Sequence, residues 1–491
     1  MAHADLKPAD IFADGMVLQR ELSIPVWGTA KAGAKVEVSF ADRQITTNAD
    51  QNGRWKLMLD PMKASSVGRE MVFRSGNAVV TCRNVLVGEV WFAGGQSNMG
   101  YNCGNMAKHL PEGKQLVTKA NFESMRFCRI DEQDAPQPLE RLRSRAKWDV
   151  CTPETVVRHS AVAFVFARRL HLELGVPVGI IDCSWGGKPI EPFIPLEAFR
   201  GHPTLEKLAR FAKAGDEEQI RSMVGGTYVR SSSWLPGTIF NSRVSPVRPY
   251  AIRGAIWYQA ESNCGLGEDP RDYAHKMRAL VHGWRSVWNR DDLPIYYVQL
   301  PQWRSYAWTW AREEQRKALD VANTGMVVTI DLDNAGDIHP PNKIDVGERL
   351  ARWPLARDYG HDVIASGPMF RNAEIEGRKV IVVFDEAESG LMVGRAKGVM
   401  QIQPDTKGTL NGFELCSEDE GWFAAEARID GQRVVVTSDQ VANPVAVRYA
   451  CHPQAPAESP WNLYSRAGLP ASPFCSDWRR MPYDPTANPR K

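Results

Sequence analysis

Residues 91–100 read WFAGGQSNMG: an apolar run ends in two glycines, and Ser97 follows between the side-chain amides of Gln96 and Asn98. A serine hydroxyl is a poor nucleophile until a general base takes its proton, and neutral imidazole is the usual base near pH 7. Among the ten histidines, only His339 lies in a loop that follows an apolar strand pattern and is flanked by carboxylates. That loop, LDNAGDIHPPNK (332–343), follows GMVVTID, and Pro340 and Pro341 stiffen it just beyond the imidazole.

Two more loops share this polar, glycine- or amide-bearing character. Ser184, Trp185, Gly186 and Gly187 follow the apolar run VGIIDC, and Gln259, Ala260, Glu261, Ser262 and Asn263 follow AIRGAIWY. Together the parts suit acyl transfer. Attack on an ester creates a tetrahedral oxyanion that needs oriented N–H donors. The backbone N–H of Ser97, that of Gly186 or Gly187, and a side-chain amide of the third loop, with Gln259 its first residue, can supply them. The carboxylate that would hold the imidazole through Nδ1–H is open between Asp337 and Glu261, with Asp331 at its strand end a third option.

Several chemistries are excluded by pattern. Position 99 is Met, so the G-x-S-x-G elbow of α/β-hydrolases is absent, and neither a P-loop nor G-x-G-x-x-G occurs. No C-x-x-C pair or zinc-like His/Cys spacing is present among the nine cysteines, which read as buried thiols. The net charge of +2 gives no electrostatic reason to expect a nucleic-acid partner, and no apolar run approaches the ~18 residues of a membrane span.

The elements that must position these loops follow from periodicity. AKVEVSF and RWKLML alternate apolar and polar residues before residue 84, which predicts a small antiparallel sandwich over 1–84. From 85 to 365 the texture alternates between continuous apolar strands and helices. The helix in SAVAFVFARRLHLELG should stop at Gly175, ahead of Pro177, and the helix in KIDVGERLARW should end or kink at Pro354. Buried strands joined by helices predict an α/β region with a doubly wound, flavodoxin-like parallel sheet. In such a sheet, ligands bind beyond the carboxyl ends of the strands, which is where all four loops fall. A β-rich region follows over 366–491, and the polar, Ser-rich stretch 200–240 reads as a functional insertion or a flexible cover.

The segments GQSNM, SWGGKPIEPF, IWYQAESN, WAREEQ and DIHPPNKIDVGERLA, in this order, resemble the sialate O-acetylesterase family of SGNH-type serine esterases. IFADGMVLQRELSIPVWGTA near the start and VRYACHPQAPAESPWNLYSRAGLPASPF near the end extend the likeness over nearly the whole chain. The resemblance implies an SGNH-type catalytic layer and a hydrolase that needs no metal or other cofactor and removes acetyl groups from carbohydrate. It places the nucleophile on Ser97, the base on His339, and oxyanion donors at Ser97, Gly186, Gly187 and Gln259. The usual acid, three residues before the histidine, is replaced here by Gly336. Asp337 is the local substitute, and Glu261 matches the acid position of related acetylesterases. Ala260 stands where the family pattern favours Gly.

The expected partner is an acetylated carbohydrate: a sialic acid, or plant xyloglucan or xylan. Asn98, Trp303, Trp308 and Trp310 are the expected substrate-contacting residues. Competing readings are a non-catalytic carbohydrate-binding protein on an esterase scaffold and a serine peptidase or lipase. The AHA before Asp5 reads as the remnant of a cleavage site, which gives an expectation of export.

Overall fold

The computed structural model describes residues 6–224, 231–264, 268–332, 336–419 and 421–483, so the cleavage-site remnant expected at AHA lies outside the described residues. Two compact units are formed: Met1–Ser222, Thr227–Trp257 and Ala279–Ile295 in the first; Met223–Gly226, Tyr258–Arg278 and Tyr296–Lys491 in the second.

In the first unit, the alternating N-terminal segments form strands because one face of each can be buried. Val36, Val38 and Phe40 point inward from β4, and Trp55, Leu57 and Leu59 from β6. β1 (Lys7–Pro8), β3 (Ile24–Thr29) and β6 (Arg54–Leu59) make one antiparallel sheet. β4 (Lys35–Phe40), β5 (Arg43–Asn48), β7 (Ser65–Ser75) and β8 (Ala78–Gly95) make another, and β2 (Val17–Gln19) pairs with β8 in parallel. Rings from both sheets meet where Trp55 and Phe73 stand 6.1 Å apart. β8 is a single strand of 18 residues that runs on through residue 84.

The far half of β8 lies in a sheet of order β10-β9-β11-β8-β12, built with β9 (Phe122–Arg129), β10 (Trp148–Cys151), β11 (Val178–Asp182) and β12 (Gly254–Tyr258). β11 runs parallel to both β8 and β9, so β8 and β11 end at the same edge, with Asp182 beside Ala93. The helix Ala161–Leu174 begins where the Ser160 hydroxyl accepts from the Ala163 N–H and ends at Gly175, with φ 64°. A wholly parallel sheet is not what forms. β10 pairs antiparallel with β9, and the first half of β8 pairs antiparallel with β7, so the sheet is mixed. Short connections explain this: β7 and β8 are joined by a tight turn at Gly76, which cannot make a parallel crossover.

The insertion is more ordered than its polar composition suggests. Pro203–Ala214 is a helix that buries Leu205, Leu208 and Ala209 at i, i+3, i+4 spacing, and Glu217–Met223 is a second helix.

The second unit contains β13 from Tyr296 onward (Ile295–Val298), β14 (Thr324–Val327), and the helices Tyr306–Lys317 and Lys343–Arg357. Pro354 does not end the last of these, which runs on to Arg357 with Leu350, Trp353 and Leu355 buried around the proline. Burial of that face offsets the hydrogen bond a mid-helix proline forfeits. Among the described residues three antiparallel sheets complete the unit, one of them joining Met369–Glu376, Lys379–Asp385, Arg433–Thr437 and Glu426–Asp430. All nine cysteines are buried free thiols. No helix among the described residues is long and apolar enough to cross a membrane.

Candidate active site

Ser97 opens a single helical turn, Ser97–Gly100, directly beyond β8, and the Gly100 N–H closes it on the Gln96 carbonyl at 2.8 Å. Gly95 takes φ 136°, a value a side chain disfavours, and so lets the strand turn sharply into the helix. At Gly94 a β-carbon would fall 2.9 Å from the rings of Trp257 and Trp284, so only glycine packs there. The result is a half-buried serine between two buried amide residues.

The loop beyond β11 is held to the same place by backbone hydrogen bonds. The Cys183 N–H donates to the Ala93 carbonyl at 2.8 Å, and the Trp185 N–H to the Gly95 carbonyl at 2.9 Å. Gly186 therefore comes against Ser97: a β-carbon built on it would lie 3.6 Å from Ser97 Cβ. Gly186 and Gly187 are exposed, which leaves the loop open to an incoming group.

Arg243, on a wide helical turn at Phe240–Val244, is fully buried behind this loop. Its guanidinium donates to the carbonyls of Cys183 (2.9 Å), Ser184 (3.2 Å) and Ile130. These carbonyls sit past the strand ends, where no ladder partner is available, so the arginine supplies what the sheet cannot. Sequence reasoning missed it, since its partners are main-chain atoms far away in the chain. Arg243→Met should leave those acceptors without their donor and cost about 3 kcal/mol or more. A lowered thermal midpoint checks this; a variant as stable as the parent contradicts it.

The 259–263 loop belongs to the second unit and is braced from within it. Gln259 is wholly buried, its Nε2 donating to Asn263 Oδ1 at 2.8 Å and its Oε1 accepting from the Tyr273 hydroxyl at 2.8 Å. Gln315 Nε2 donates to the carbonyls of Gln259 (3.2 Å) and Val298 (3.0 Å), tying two strand ends together. Asn263 in turn donates to Glu268, which is paired with Lys276 at 2.9 Å. The Gln259 amide thus helps to hold its own loop. Ala260 has φ 157° and ψ −12°, a region that glycine occupies more readily, and the Glu261 carboxylate accepts from its N–H at 2.9 Å. Glu261 itself is buried.

His339 is half-buried in the loop that precedes the helix Lys343–Arg357. Asp337 Oδ1 accepts from the His339 backbone N–H at 2.8 Å and stands 3.9 Å from Nδ1, beyond hydrogen-bond length, with its carboxylate largely exposed. Asp331 is taken up elsewhere, in a bidentate pair with Arg349 (2.7 Å each) and a contact with the Tyr464 hydroxyl. Of the neighbouring loop residues, Asp333 lies outside the described residues.

The imidazole is held below its ordinary pKa, first by burial and then by the Lys343 ammonium, with Asp337 opposing. Lys343 is itself buried, its Nζ 5.5 Å from the Tyr258 ring centre. Were His339 the base expected from the sequence, it would work in its neutral form, so a lowered pKa would keep activity present to a lower pH, with activity lost as pH falls through that value. Lys343→Met removes one lowering influence. The acidic limb of kcat/KM should then move to higher pH, and a pH profile with an unmoved limb would contradict the assignment.

The expected sugar-contacting residues fare unevenly. Trp308 and Trp310 are 2% and 7% exposed, so neither offers a ring face. Trp310 packs against Cys451, Cys475 and Met481 and donates its indole N–H to the Pro482 carbonyl at 3.1 Å. Asn98 has no accessible surface. Trp303 is half-buried, its ring 6.0 Å from that of Trp308. The structure thus brings Ser97 and Gly186 together in the first unit, and His339 and Asp337 in the second.

Comparison with known proteins places these features in context. Residues 219–355 match the family model described as carbohydrate esterase, sialic acid-specific acetylesterase. A crystal structure of a carbohydrate acetylesterase from Xanthomonas citri superposes with a TM-score of 0.83 at 32% identity, covering 96% of this chain and 99% of that one. Sialate O-acetylesterase from Pongo abelii is 27% identical over 521 residues, covering 95% of this chain and 91% of the relative. The Homo sapiens sialate O-acetylesterase is 28% identical over 415 residues, covering 76% and 75%.

Proposed function

Because the chain belongs to the sialate O-acetylesterase family of carboxylic ester hydrolases, we propose that it removes O-acetyl groups from carbohydrate through Ser97. Sialic acids and plant xyloglucan or xylan are the candidate substrates. Ser97 Oγ attacks the acetyl carbonyl carbon while His339 takes the hydroxyl proton. The oxyanion forms beside the N–H groups of Ser97, Gly186 and Gly187. Collapse releases the sugar alcohol, which receives the proton back from His339, and leaves an acetyl ester on Ser97. Water, deprotonated by the same imidazole, then releases acetate. Asp337 orients the ring, with a shift of about 1 Å closing its distance to Nδ1 in the substrate complex.

The observation that carries this reading is a half-buried serine at the carboxyl end of β8 with an exposed glycine loop against it. The test is acetate release from O-acetyl sialic acids, acetylated xylan and acetylated xyloglucan. Release from at least one of these supports the reading. Sugar binding without acetate release from any of them would favour a carbohydrate-binding protein on an esterase scaffold.

A further inference from the structure

Beside the glycine loop, Lys188 stands between two indole rings. Its Nζ is 4.7 Å from the centre of the Trp185 ring and 5.8 Å from that of Trp234. The same ammonium donates to Ser233 Oγ at 2.6 Å, and Ser233 Oγ lies 2.7 Å from Ser231 Oγ. Lys188 is only 9% exposed, whereas both tryptophans are half-buried. The ammonium therefore acts inward, as a clamp on two rings. The Arg243 guanidinium, 5.7 Å from the Trp185 ring, adds a second cation to the cluster. Trp185 also sits next to Gly186, where an added β-carbon would lie 3.6 Å from Ser97 Cβ.

A half-buried indole next to the glycine loop, joined through Lys188 to a second half-buried indole, offers a ligand the apolar area and polar handle that aromatic contacts use. The flat C–H face of a pyranose ring matches an indole in shape and polarity, and needs no charged partner. We propose that Trp185 and Trp234, clamped by Lys188, form the sugar-stacking subsite that holds the pyranose carrying the acetyl group beside Ser97. The inference rests on the esterase reading and assigns recognition to the ring face of the sugar, so a sugar carboxylate is not required. It also replaces Trp308 and Trp310, whose rings are buried, as the aromatic contacts.

Trp234 is the residue to test, because Trp185 immediately precedes Gly186, and changing its side chain could shift the glycine loop at Ser97. The readout is the ratio of kcat/KM for two acetylated sugars, a xylo-oligosaccharide and a sialic acid, to that for 4-nitrophenyl acetate, which has no sugar. Trp234→Ala should lower this ratio about tenfold or more through KM, the usual scale for truncating a buried aromatic anchor. Trp234→Tyr should restore most of it. Trp234→Leu retains apolar bulk should the alanine variant not fold, and should show the same fall. An unchanged ratio in whichever of Trp234→Ala and Trp234→Leu folds overturns the subsite and leaves the esterase reading standing. Acetate release that persists undiminished in Ser97→Ala overturns the esterase reading itself.

Discussion

Ser97→Ala is expected to abolish acetate release, lowering kcat by roughly 10⁴- to 10⁶-fold, the range found when the nucleophile of a serine hydrolase is removed. Without the hydroxyl there is no atom to carry the acetyl group, and only binding and oxyanion contacts remain. The fold should be indifferent to the change. Ser97 is half-buried, and the Gly100 to Gln96 bond that closes its turn is made by main-chain atoms. The variant should therefore melt within about 0.5 kcal/mol of the parent while its acetate assay reads background. Loss of activity accompanied by unfolding would not carry the same meaning, so both measurements belong together. Retention of a tenth of the parent rate would remove Ser97 from the mechanism.

His339→Ala should produce a loss of the same order, because an alcohol at neutral pH has almost no nucleophilic power without a base. The two residues act on one proton, so their effects should not add. Ser97→Ala combined with His339→Ala should be no slower than either single variant, within about threefold. Additive losses would mean that His339 serves another step. The imidazole loop should tolerate the change, since the backbone of residue 339 is held by Asp337 through its N–H and not through the ring.

Much of this was legible in the sequence, and for identifiable reasons. The helix Ala161–Leu174 could be read with both its ends because its caps are local signals, Ser160 and Gly175. Ser97, Gly186 and His339 could be singled out because each follows an apolar strand, and a strand's end is visible in composition. What escaped was side chains whose partners are main-chain atoms brought close only by folding. Arg243 bonds a carbonyl 60 residues away, and Gln315 bonds one 56 residues away. No spacing rule announces such pairs. Burial of tryptophan was equally opaque. Trp303, Trp308 and Trp310 stand out for their place beyond a strand end, which does not reveal that the fold buries Trp308 and Trp310 and leaves Trp185, Trp234 and Trp303 half-buried. The parallel sheet was overstated because β10, a four-residue segment with Asp149 inside it, carries no apolar run by which to recognise it, and it pairs antiparallel with β9.

The carboxylates show the same limit at finer scale. Asp331, Asp337 and Glu261 are equivalent on paper. In the fold Asp331 pairs with Arg349, Glu261 accepts from the Ala260 N–H, and Asp337 stands 3.9 Å from His339 Nδ1, differences that no spacing in the sequence announces.

The most direct test of the central claim is to locate the covalent intermediate. The protein is treated with a serine-directed fluorophosphonate, digested, and mapped by mass spectrometry, with acetate release followed in parallel. The account predicts a single modification, on Ser97, that grows in step with the loss of activity and is absent from Ser97→Ala. Full inactivation with Ser97 unmodified, or no inactivation with Ser97 fully modified, would contradict it.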